Sequence, residues 1–178
     1  MATYYSAQAS SLMIASGLFA LLEIGRIAFV AGLRSSLGQT AHIRGLVDLA
    51  LGAMVLSVGL ELAQYSLSAA AGQMASGGGD RVGIVSLAYA SASIGLAVRP
   101  AVAVSAEAAS IAQLLSGQFP KWLWILGLIV GAFGIVSSTY TATTGMVGSG
   151  LGLWVPAMWI WMVATGVILF RQAGRPKH

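Results

Sequence analysis

Apolar residues run through this chain in five long stretches, divided by short polar or glycine-rich connectors. The stretches predict helices near residues 10–33, 45–65 (or on to Met74), 82–98, 122–141 and 151–170. Each is close to the roughly 20 residues that carry a helix across a hydrocarbon core about 30 Å thick. Residues 34–44 form a polar connector. Residues 76–81 form the sharpest break, because three successive glycines cannot hold a helix. Residues 116–121 and the glycine-rich 145–152 are the remaining connectors, and 171–178 is a basic tail.

The third stretch is harder to delimit, because apolar sequence resumes at 101–115 after Arg99-Pro100. Proline removes a backbone donor and disfavours helix at the residue before it, so a break is expected there. The continuation then reads as a re-entrant or interfacial piece, as the far half of one kinked helix, or as a separate span. Charge arbitrates. With five spans and the N-terminus outside, seven basic residues (Arg34, Arg44, Arg99, Lys121, Arg171, Arg175, Lys177) face the cytoplasm and only Arg81 faces out. Six spans would give five against three. The excess of Lys and Arg on cytoplasmic loops favours five, within a range of four to six, with the C-terminus cytoplasmic.

Composition agrees. The 178 residues are 57% apolar and only 8% charged, with mean hydropathy +0.85. A soluble domain carries about 25% charged residues, so this surface is expected to face lipid in one membrane-embedded helical domain, 1–178. The net charge of +4 comes from scattered residues, not from the basic-aromatic patch that nucleic acid requires. There is no cysteine, which removes thiolate catalysis, iron–sulfur ligation and zinc thiolate sites. A cleavable leader is not expected: the N-terminus has no basic region, and the first apolar stretch is of spanning length and carries Glu23 and Arg26.

Small residues suggest how the helices pack. Gly45, Gly52, Gly59 and Ser66 recur every seven residues, almost two turns, and so line one face of the second helix. Gly83, Ala90 and Ala97, beside Ser86 and Ser93, do the same on the third, and Gly127, Gly131 and Gly134 mark the fourth. Hydrophobicity does not draw helices together in lipid, so close approach at small residues is the available device. These stripes read as seams inside the bundle or as an oligomer face. Trp122 and Trp124 beside Lys121, and Trp154 at the opposite edge, suit an interfacial aromatic belt, whereas Trp159 and Trp161 fall deeper and read as packing.

Four of the five acidic residues, Glu23, Asp48, Glu61 and Glu107, fall in these apolar regions. A charge at the bilayer centre costs roughly 2.5–3.5 kcal/mol on insertion scales, which makes each a functional candidate by default. Glu23 and Arg26 are three apart, and Arg44 and Asp48 four apart, so each pair shares a helical face. With Arg99 they are expected at similar depth, either as structural ion pairs or as an ion- or headgroup-binding cluster. Glu61 has no basic residue within one turn, only Gln64 and Tyr65 on its face, and is the first candidate for carrying a proton or cation. Glu107 is expected to be simply wetted if its segment hugs the interface.

Other chemistry finds no support. His42, in a connector, and His178, at the terminus, are placed to make neither an intramembrane haem site nor a metal cluster. No lysine lies within a span to form a Schiff base, and no phosphate-binding loop, nucleophile elbow or zinc-protease helix occurs. The glycines of 148–152 lack the strand and helix of a dinucleotide fingerprint. No cofactor or metal is expected.

From Gln118, the run Phe-Pro-Lys-Trp-Leu-Trp-Ile-Leu-Gly-Leu-Ile-Val-Gly, with a last span ending Val-Ile-Leu-Phe-Arg171, resembles the C-terminal part of an uncharacterised family of bacterial multi-span membrane proteins. The resemblance covers about a third of the chain and implies a helix bundle of the bacterial inner membrane, with no activity attached. The expectation is thus an all-α transmembrane bundle, acting as a non-enzymatic subunit that contacts lipid and other membrane helices or copies of itself. The alternative is a small channel or transporter that uses the intramembrane carboxylates.

Overall fold

The computed structural model of the chain describes residues 2–37, 40–144 and 154–173. Its elements are α1 (Ala2–Leu37), α2 (Ala41–Ser76), α3 (Arg81–Ser116), α4 (Lys121–Thr144) and α5 (Trp154–Ala173). All five are long and apolar enough to cross a membrane. The protein is an all-α, membrane-embedded chain. The connector at 145–152, the first residues of the fifth apolar stretch and the tail from 174, including Arg175, Lys177 and His178, lie outside the described residues.

The first three helices have 36 residues each, well beyond their apolar stretches. Hydropathy marks only the part of a helix that lipid can cover, whereas the hydrogen-bond ladder runs on through polar flanks such as Tyr4-Tyr5-Ser6. The break expected at Arg99-Pro100 does not occur: Pro100 lies inside α3. A proline costs a helix interior about 3 kcal/mol, but a break would expose several backbone groups to hydrocarbon at several kcal/mol each. The single defect is the cheaper choice, so 81–116 is one helix.

Helix ends follow local rules. Gly78, with φ of 73°, closes α2: its N–H and that of Gly79 donate to the Ala75 and Met74 carbonyls at 3.4 and 2.8 Å. This is the paired closure that a left-handed glycine permits. Asp80 then caps α3 by accepting the Gly83 N–H at 3.0 Å. Gly117, with φ of 64°, ends α3 four residues before α4 begins.

The chain divides into two compact units, one of residues 1–25 and 56–98, the other of 26–55 and 99–178. In the first, stretches of α1, α2 and α3 are joined by polar contacts. Ser16 Oγ donates to the Tyr65 carbonyl at 3.4 Å, and the Phe19 ring stacks on Tyr65 at 4.3 Å. Ser91 Oγ donates to the Gln64 carbonyl at 3.0 Å and lies 2.8 Å from Ser68 Oγ, while Gly95 faces the Gln64 side chain.

The second unit is built around the far half of α3. Ala101, Val102, Ala103, Ala106, Ala108, Ala109 and Ala112 are buried. Ser105 Oγ donates to the Ala50 carbonyl of α2 at 2.8 Å, Gln113 Nε2 to Thr165 Oγ1 of α5 at 3.3 Å. Against α4, Ala103 lies opposite Gly131 and Gly134, Glu107 opposite Gly131, and Ser110 opposite Gly127. Rising numbers on α3 meet falling numbers on α4, so these two helices are antiparallel. Trp154 of α5 also packs on Gly134 and donates its indole N–H to the Val130 carbonyl at 2.8 Å. Trp154 is therefore buried between helices and does not face lipid, although it stands at the first residue of α5. A ring that can donate to a backbone carbonyl of the next helix keeps its N–H satisfied without water.

The small-residue stripes divide in the same way. Gly127, Gly131 and Gly134 lie in the α3–α4–α5 contact, whereas at Gly45, Gly52 and Gly59 a Cβ would meet nothing within 4 Å. These three, with Ser66, are exposed, as are Ala90, Ala97, Ser86 and Ser93 on α3. Among the described residues the α2 stripe is not a seam, which leaves its other reading, an oligomer face. Its buried side is instead Val47, Ala50, Met54, Val58 and Ala71.

The two kinds of glycine should respond oppositely to a methyl group. At Gly134 a Cβ would lie 2.8 Å from Trp154 Nε1, so Gly134→Ala should cost about 1–3 kcal/mol through overpacking. Gly52→Ala meets no obstacle and should be neutral or stabilising by up to about 1 kcal/mol. Thermal unfolding of the purified variants in detergent measures both.

Candidate functional site

The charged residues singled out above occupy three settings. Glu23 and Arg26, on one face of α1, are both 2% exposed. Each has a bonding or electrostatic partner. The guanidinium is not fully satisfied: among the described residues nothing accepts a hydrogen bond from Arg26 Nε, although the side chain has a partner elsewhere.

Asp48 belongs to an exposed setting. It forms an ion pair and hydrogen bond with Arg34 of α1, both side chains about half exposed. The partner is fourteen residues away in sequence, so i+3 and i+4 spacing, which points to Arg44, did not reveal it. Arg26 lies eight residues from Arg34, about 12 Å along the helix axis at 1.5 Å per residue. The carboxylate is thus held two turns away from the buried arginine. Exposed pairs of this kind contribute about 0–1 kcal/mol. Arg44 is exposed and Arg99 half-buried, each with a partner of its own.

Glu61 and Glu107 are both half-buried and differ in their partners. Glu61 is half-buried and has a bonding or electrostatic partner. The absence of a basic residue within one turn therefore did not leave it isolated. Glu107 is itself half-buried. It sits midway along the α3 segment at the heart of the second unit, with Ala106, Ala108, Ala109 and Ser110 buried around it. Its stem packs on Gly131. Among the described residues nothing hydrogen-bonds or ion-pairs with its carboxyl group.

Glu107 also begins a polar row. Ser110 and Gln113 follow at three-residue intervals, both fully buried at 0% exposure, on the side of α3 that meets α4 and α5. Facing them are Trp161, 1% exposed, and Thr165, 0% exposed, one turn apart on α5. The Phe29 ring of α1 meets Trp161 edge to face, centroids 5.6 Å apart. Sequence reading treated Trp161 as packing and passed over Ser110, Gln113 and Thr165. Their signal was available as a spacing of three within an alanine-rich helix, but an interfacial placement of 101–115 hid it. Among the described residues, no group of three or more His, Asp and Glu side chains is arranged to hold a metal ion.

No protein-family model matches the chain, and searches of curated proteins and of solved structures return no match. The site is therefore read from its own chemistry.

The Arg34–Asp48 pair should matter little to stability. Asp48→Asn is expected to change the unfolding free energy by no more than about 1 kcal/mol, and the effect should shrink further as salt screens the pair. Denaturation of the purified protein at low and high salt checks both statements.

Proposed function

We propose that this protein is a non-enzymatic membrane subunit, an interaction protein whose α2 receives a helix of another membrane protein or of a second copy. The observation that carries the reading is the exposed stripe Gly45, Gly52, Gly59 and Ser66, at which no described residue approaches the three glycines. Within the protein, α4 uses glycines to bring α3 and α5 into close contact. A partner helix on α2 would gain the same dispersion contacts, which lipid tails do not supply as specifically. The basic residues support an orientation with the N-terminus outside and the C-terminus in the cytoplasm of a bacterial inner membrane.

A second reading has its own observation. Glu107 is a half-buried carboxyl group on a helix long and apolar enough to span a membrane, and no described residue bonds to it, as would suit a small channel or transporter for protons, ions or a small polar solute. Glu61 and the residues Glu23, Arg26, Asp48 and Arg99 would be its further polar stations.

Recovery of partners from mild detergent tests the first reading. Gly52→Ile should cut recovery of a co-purifying subunit, or of an epitope-tagged second copy, at least tenfold without lowering the thermal midpoint of the isolated chain. Unchanged recovery would refute the α2 interface. Proton and sodium flux in proteoliposomes tests the alternative: flux abolished by Glu107→Gln, in protein that remains folded, would replace the subunit reading with transport.

A further inference from the structure

Three helix ends meet at one end of the second unit. Gln113 of α3 bonds Thr165 of α5, and Gln172, near the close of α5, donates its Nε2 to the Gln118 carbonyl just past α3 at 2.9 Å. α3 and α5 therefore run in the same direction, and the start of α4, which runs against α3, lies with their ends. Two exposed cations stand there, Lys121 at the start of α4 and Arg171 near the end of α5. Their depth can be counted from Gly127 and Trp161, which meet. Lys121 is six residues from Gly127, and Arg171 ten from Trp161, or about 9 and 15 Å along their helices. The two charges thus lie within about 6 Å of one level. Both are unanswered: among the described residues neither makes an ion pair or hydrogen bond, whereas Arg34 is met by Asp48. The chain has no acidic residue after Glu107, which lies nine residues before the end of α3, about 14 Å along the helix. An exposed aromatic ring adjoins each cation in sequence, Trp122 at 54% and Phe170 at 83% exposure.

We propose that this edge binds an anionic phospholipid, with Lys121 and Arg171 meeting the charge of its headgroup and Trp122 and Phe170 lying against its glycerol and upper acyl region. The apolar span of α4 begins at Lys121 and that of α5 ends at Gln172, so the cations stand where hydrocarbon gives way to headgroups. A Lys or Arg at that level attracts an anionic headgroup by about fivefold in affinity. An indole ring favours the same depth, its apolar body towards the chains and its N–H towards water. The chemistry also selects among ligands. Inorganic phosphate would answer the cations and leave both rings without a role, whereas a lipid engages charge and ring together. A zwitterionic lipid carries the phosphate but brings its own ammonium group, so it lacks the net charge that two unanswered cations call for. The site lies on α4 and α5 and does not depend on the α2 stripe.

Native mass spectrometry of the full-length protein, released from neutral detergent micelles holding equal amounts of phosphatidylglycerol and phosphatidylcholine, reads the preference as a ratio of lipid adducts. The wild type is expected to favour phosphatidylglycerol by about fivefold or more, and less so as ammonium acetate is raised. Lys121→Gln combined with Arg171→Gln should lower the ratio about fivefold or more. Arg81→Gln, which removes an exposed charge at the start of α3, should leave it unchanged. These side chains are exposed, so the thermal midpoint should not move in any of the variants. Trp122→Ala combined with Phe170→Ala should also weaken the phosphatidylglycerol adduct. Equal adducts in the wild type would overturn the proposal, including the case in which a co-purifying acidic polypeptide covers the patch and keeps lipid off. A preference that falls no further in the double glutamine variant than in Arg81→Gln would overturn it too. So would lipid binding that ignores the two rings and is displaced by millimolar inorganic phosphate, the behaviour of a free-anion site.

Discussion

Lipid does not press helices together, because hydrocarbon is as apolar outside the bundle as between its helices. Cohesion must come from contacts that lipid chains cannot imitate: backbones brought close at small residues, and hydrogen bonds between helices. The second unit is organised around this constraint. Gly127, Gly131 and Gly134 let α4 lie close to an alanine-rich stretch of α3, and the space at Gly134 admits the Trp154 ring. Trp154 and Trp161 both come against these glycines with an indole N–H.

The hydrogen bonds between helices have a consistent form. Ser16, Ser91, Ser105 and Trp154 all donate to backbone carbonyls of a neighbouring helix. A helical carbonyl keeps a second lone pair after its own ladder bond, so it accepts such a donor without disturbing the helix. In membranes side-chain bonds of this kind average about 0.6 kcal/mol, too weak singly to set the fold. Repeated on α2 and α4, they fix the register that close packing alone would leave free to slide.

Helix number and membrane class were legible in the sequence, since apolar runs and a near absence of charge are read without knowing any contact. Contacts were legible only within one helix. Spacing showed that Gly45, Gly52 and Gly59 share a face, but a stripe does not reveal whether that face turns inward. Asp48 had a plausible neighbour at Arg44, while its ion pair with Arg34 spans two helices. Trp154 read as interfacial because an indole ring favours the membrane edge, and nothing nearby in sequence signalled the Val130 carbonyl. Pro100 misled for a related reason: its local cost is real, but the choice was between one defect and a whole exposed turn.

The burial of the far half of α3 also constrains biosynthesis. This segment leaves the ribosome before α4 and α5, the helices that cover its Ser110 and Gln113 side. Its alanines gain little from lipid, and its row of Glu107, Ser110 and Gln113 enters the bilayer unsheltered. At that point the segment lacks the α4 and α5 side chains that later cover it, and its tie to chain already made is the Ser105 bond to the Ala50 carbonyl of α2. Completion of α4 and α5 ends that exposure, which makes the last third of the chain the step that commits the protein to its bundle.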